Sequence, residues 1–158
     1  MTTKYDSKKH LKSAWVARGK DKVIKKPWGY EKIWSGFSGI HGKILFVEEG
    51  KKTSLKFHKM KNEVLYLMSG KIDALIGNES TFSDPVANPL RRETLFPGDA
   101  LLVQSACPYR IIAVENSKII EIGNYMSETP TVVFDDYGRE SDNVEELLEA
   151  VKSSLDCD

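Results

Sequence analysis

Cysteine and histidine are scarce in this chain. Cys107 and Cys157 lie far apart with no C-x-x-C spacing, which suits a reduced, cytoplasmic setting and argues against a disulfide framework. The histidines are His10, His41 and His58 only. Long hydrophobic runs are missing too. The longest, Val64 to Met68, falls far short of the roughly 20 apolar residues that span a bilayer, and the Lys-rich N-terminus has no apolar stretch behind it. An excess of charge of either sign is also absent. Lysine plus arginine number 23 and aspartate plus glutamate 23, so the overall field offers no attraction to nucleic acid or to an anionic membrane, and neither is expected as a partner.

What the chain does have is enough length for one domain. A chain of 158 residues can bury roughly 70% of its unfolded surface without staples. Residues 1–26 are dominated by lysine, with scattered apolar residues and no sustained period, and read as a loosely ordered basic arm that Trp15 and Val16 could dock on the domain. From Pro27 the texture changes to short β-rich runs. Strands are expected at 31–35, 43–48, 53–57, 63–68, 71–76, 93–96, 100–103, 109–115, 117–123 and 131–134, separated by Gly, Pro and Asn turns. Turns at roughly ten-residue intervals indicate an all-β sandwich or barrel. Residues 77–92 are the one long loop. Gly36, Gly39 and Gly42 precede a β-run rather than a helix, so the helix N-terminus of a dinucleotide site is absent. Residues 141–158 carry Val144, Leu147, Leu148, Val151 and Leu155 on one helical face behind an Asp142/Glu145 capping box, and predict one acidic amphipathic α-helix. The expected domains are the arm at 1–26, the β-domain at 27–140 and the helix at 141–158.

In strands only alternate residues share a face. Ser54, Lys56 and His58 therefore point one way, as do Glu63, Leu65 and Leu67, and His58 and Glu63 can converge inside a barrel. Small barrels hold ligands in their mouths, and a metal there needs three or four inward His or carboxylate groups.

The spacing Gly50, His58, Glu63, Gly70 followed by Pro97–Gly98–Asp99 and a second strand pair resembles the cupin family, a double-stranded antiparallel β-helix or jelly-roll barrel. More narrowly, Pro27–Trp28–Gly29–Tyr30–Glu31, Ser54–Leu55–Lys56–Phe57–His58, Ile119–Ile120–Glu121–Ile122 and Asp135–Asp136–Tyr137–Gly138–Arg139 resemble the cupin domain of type II mannose-6-phosphate isomerases, from about Pro27 to Arg139. The resemblance implies a sugar-phosphate aldose–ketose isomerase. Two departures bear on its cofactor. Where the family has three His before an Arg, this chain reads His58–Lys59–Met60–Lys61; where it has Pro-x-Gly and a final His, this chain has Gln104–Ser105–Ala106 and then Tyr109.

The motif positions thus leave His58 and Glu63 as metal ligands, and the expected cofactor is none or a weakly bound divalent metal. His58 and Glu63 could act as base, with Lys56 polarising oxygen in place of a metal, and these three are the candidate catalytic residues. Lys43, Lys61, Tyr109 and Arg139 are candidates for substrate binding, Lys43 and Arg139 by resemblance. Glu63 could equally pair with Lys56 or Lys61, and His58 could be a hydrogen-bonded barrel residue. Arg110 should face away from Tyr109, and Tyr66 away from Glu63 toward the second sheet. The function expected is a mannose-6-phosphate isomerase-like cupin acting on or binding a sugar phosphate or nucleotide sugar, with a metal-free binding or assembly cupin as the alternative. Sheet edges with few prolines point to a homodimer.

Overall fold

Among the described residues, period-two alternation becomes eleven strands: β1 (Lys22–Lys26), β2 (Gly29–Phe37), β3 (Ile40–Val47), β4 (Leu55–His58), β5 (Glu63–Ser69), β6 (Ile72–Ile76), β7 (Arg91–Leu95), β8 (Ala100–Val103), β9 (Tyr109–Ala113), β10 (Ser117–Asn124) and β11 (Thr131–Asp135). The computed structural model describes residues 12–18 and 22–124, and the backbone of 131–135. Among them no helix is long and apolar enough to cross a membrane. The strands form two antiparallel sheets, in the orders β1-β2-β3-β10-β5-β8 and β11-β4-β9-β6-β7.

The alternation decides what lies between the sheets. On β5, Glu63, Leu65 and Leu67 are buried while Val64, Tyr66 and Met68 are exposed. Leu45, Val47, Leu65, Leu67, Ile111 and Ile119 join one core with Trp28 and Tyr109. A second, smaller cluster lies on the outer side of the five-stranded sheet, where Leu55, Leu75 and Leu90 pack with Phe57, Phe82 and Ile112. The Ser38–Gly39 link between β2 and β3 has φ of 50° and 80° at its two residues, the doubly left-handed turn whose twist matches a tight hairpin.

Several expectations change. Lys22–Lys26, assigned to the arm, pair with Gly29–Ile33 as an edge strand, so ordered β-structure begins before Pro27. The expected docking of the arm through Trp15 is seen, where its ring meets Phe37 edge-on at 4.9 Å. Tyr66 is on the outer face of its sheet and half exposed instead of packing against the second sheet. Arg110 does face away from Tyr109, fully buried, with its Nε donating to the Thr53 carbonyl at 2.7 Å. The expected C-terminal helix and Arg139 lie outside the described residues.

Candidate functional site

The site follows from strand register. Gly123 on β10 is paired with Glu63 on β5 and with His41 on β3, and one step along the same face Glu121 is paired with Leu65 and Lys43. Glu63 and His41 are two strands apart, a backbone separation of about 9.5 Å. No side chain stands between them at Gly123, so they lean together until His41 Nε2 is 3.9 Å from Glu63 Oε1. A Cβ at position 123 would lie 2.5 Å from His41 Cε1. His41 Nε2 also sits 2.9 Å from Glu121 Oε1. From the facing sheet, His58 approaches Glu63 Oε1 at 3.4 Å and the Tyr109 hydroxyl donates to Glu63 Oε2 at 2.7 Å. Lys61, in the β4–β5 link, places its ammonium against Glu63 Oε1 and 3.8 Å from Glu121 Oε1.

The sequence expectation that His58 and Glu63 converge is met in this geometry. Glu63 pairs with Lys61; Lys56 instead lies over the Tyr109 ring, 5.8 Å from its centre. His41, which the sequence does not single out, is a buried β3 residue, and Glu121 stands in the sequence only within the Ile119–Ile122 motif. Both could have been found from the inward alternation of β3 and β10 once their pairing was known.

Beside the cluster is a cavity of about 50 Å³, lined among others by Lys26, Glu31, Lys43, Lys56, Tyr109 and Glu121. Glu121 and Tyr109 thus belong to both the cavity and the cluster. Glu31 bridges two of the lysines, 3.2 Å from Lys43 Nζ and 3.6 Å from Lys26 Nζ. Around cavity and cluster four ammonium groups face three carboxylates, which suits an anionic ligand.

These contacts set the charges. Burial pushes the Glu63 carboxyl up, but the contact with His58 and the Lys61 ammonium outweigh it and hold the carboxyl far below its usual range. Burial, followed by the charges of Glu63 and Glu121 and the bond to Glu63, pushes the Tyr109 phenol well above its usual range. Tyr109 is therefore a neutral donor. Burial opposes the charge on Lys43, yet Glu121 and Glu31 raise its pKa.

No protein-family model matches the sequence, and no curated protein does. Solved structures do match. KdgF from Halomonas sp. is 15% identical with a TM-score of 0.56, over 68% of this chain and 90% of that one. A Bacillus subtilis oxalate decarboxylase variant is 15% identical with a TM-score of 0.60, over 72% of this chain and 30% of that one. The formate complex of Lactobacillus farciminis oxalate decarboxylase is 14% identical with a TM-score of 0.59, over 72% of this chain and 33% of that one. The fold is that of the cupins. This chain spans under a third of the Bacillus decarboxylase and nine-tenths of KdgF.

His41, Glu63 and Glu121 offer ligand atoms within 4.8 Å of one another, the spacing of a metal site. As arranged, this group does not fit a divalent ion. Such an ion needs free lone pairs about 2.0–2.2 Å away on each ligand. The lone pairs of Glu63 Oε1 face the Lys61 ammonium, and Glu121 Oε1 is engaged by His41 Nε2. At the motif positions, the soft Met60 thioether and the neutral Tyr109 phenol are no better as ligands.

Proposed function

We propose that this cupin takes a sugar phosphate or nucleotide sugar at its lysine-lined cavity and interconverts aldose and ketose by proton transfer, as the resemblance to mannose-6-phosphate isomerases implies. The observation that carries the reading is Glu121, a carboxylate that lines the cavity and is backed by a buried histidine at 2.9 Å. An isomerase moves one proton between adjacent carbons, and it needs a base for that proton and positive charge at the oxygen where the enediolate forms. Glu121 takes and returns the proton, with His41 fixing its orientation. Lys43 stands across the pairing register from it and stabilises the oxygen. Lys56 and Lys26 attract the phosphate. Glu63 is held too firmly as a carboxylate to serve as a strong base; it positions Tyr109 and Lys61 instead.

The size of the cavity favours a second reading, a non-catalytic binder. Its 50 Å³ compares with the roughly 300–1,000 Å³ of sites that enclose a small molecule, so only one polar group of a sugar enters unless the lysines swing aside. Incubation with mannose 6-phosphate in deuterated water separates the two. The isomerase forms fructose 6-phosphate with deuterium entering at C1, where the proton taken from C2 is returned after exchange with solvent, and Glu121→Gln lowers the rate by roughly 10²–10⁴-fold. Saturable binding without turnover or exchange establishes the binder; full activity in Glu121→Gln removes this residue as the base. A homodimer belongs to the same proposal, and a sedimentation mass of one chain at micromolar concentration would remove it.

A further inference from the structure

We infer that the Lys61 ammonium is the resident cation of this barrel, occupying the position between Glu63 and Glu121 that a divalent ion would otherwise take. Two buried carboxylates converge here, with Glu63 only 3% and Glu121 only 4% exposed. Two such charges are costly in a low-dielectric interior unless a cation or a proton is shared between them. Lys61 supplies that cation. Its nitrogen contacts Glu63 Oε1 and stands 3.8 Å from Glu121 Oε1, and its side chain is only 13% exposed. These oxygens belong to the same group that, with His41, has metal-ligand spacing. A lysine three residues after His58 and two before Glu63, in the link between β4 and β5, reaches back to the buried pair.

The consequence is competition for one position. A divalent ion entering the wild-type protein must first displace a buried ammonium from two carboxylates. Removing the ammonium leaves those carboxylates, with His41 beside them, in need of a cation. The inference does not rest on the proposed isomerase activity, since its test reads metal rather than turnover.

Metal-free wild type, Lys61→Ala and Lys61→Met are titrated with Mn²⁺ and with Zn²⁺ by calorimetry, and thermal unfolding is followed with and without one equivalent of each ion. Both variants are expected to take up one equivalent at least roughly 100-fold more tightly than wild type, and only they should gain thermal stability from it. Adding Glu121→Gln to Lys61→Met should abolish that uptake. Should a variant be unfolded without metal, refolding on addition of one equivalent is the same supporting result. Wild type binding as tightly as the variants overturns the inference. So do folded variants that bind nothing, or unfolded variants that metal does not rescue.

Discussion

Replacing Tyr109 with phenylalanine isolates one hydrogen bond in the buried cluster. The ring stays in the core and nothing larger is introduced, so the change removes only the hydroxyl that donates to Glu63 Oε2 at 2.7 Å. A hydrogen bond to a charged group contributes about 1.5–3 kcal/mol, and the oxygen left behind cannot turn to water, because Glu63 is buried. A loss of about 2–3 kcal/mol is expected at pH 7. For a chain of this size that lowers Tm by roughly 4–12 °C, and it moves the urea midpoint by about 1 M. The pH dependence gives a second, independent reading. The folded phenol has a raised pKa, so its contribution is fully present below the unfolded value of about 10 and fades as pH rises toward the folded one. Wild type therefore loses stability through Tyr109 above about pH 10, and Tyr109→Phe does not. Urea titrations of both proteins from pH 7 to 11 should show their difference shrinking at the alkaline end. A difference below about 0.5 kcal/mol at pH 7 would refute the claim that this bond anchors the cluster, and a difference constant with pH would refute the raised phenol pKa.

Glu63 governs the acid side with the opposite sign. Its folded pKa is depressed, so its stabilisation is complete above the unfolded value near 4.3 and is lost as pH falls; denaturation from pH 6 to 3 should steepen by up to about 1.4 kcal/mol per pH unit, a component missing in Glu63→Gln. Gly123→Ala tests the bare position on β10. A free site would gain about 0.4–1 kcal/mol from the substitution, whereas the new Cβ, 2.5 Å from His41 Cε1 and 2.8 Å from the Asn62 carbonyl, should cost about 1–3 kcal/mol by displacing the imidazole; stabilisation on urea unfolding would show that the cluster tolerates movement there. Ala106 adopts φ of 65° where the isomerase pattern has glycine, so Ala106→Gly should relieve a left-handed alanine and raise stability by up to about 1 kcal/mol; a loss above about 0.5 kcal/mol in the same assay would contradict it.

The barrel was legible because its signals are local. Alternation on β5 and β10, and the glycine turns between strands, require no knowledge of which strands pair. Half of the cluster was legible for the same reason: His58 and Glu63 are separated by one short turn, and alternation alone brings them together. His41 and Glu121 are 80 residues apart, and their meeting depends on β10 lying between β3 and β5 in register. That information is carried by no single segment. The strand at Lys22–Lys26 was hidden by composition, since an edge strand with one face to solvent tolerates the lysines that make a sequence read as an unstructured arm.

The departures at Lys61 and Tyr109 make physical sense together. A histidine ligand replaced singly would leave a damaged metal site, with carboxylates still in need of a divalent charge. Here the positive charge is supplied by side chains. Lys61 contacts Glu63 and lies near Glu121; Lys43 is kept charged by Glu121 and Glu31 against the cost of its own burial; and Tyr109 gives Glu63 a neutral donor. Electrostatic compensation is thus distributed over several groups rather than concentrated in one ion. A bare metal ion polarises an oxygen without itself carrying a proton, whereas an ammonium can also hand one over. On the proposed reading, the lysines that line the cavity would stabilise the oxyanion formed as Glu121 moves the proton.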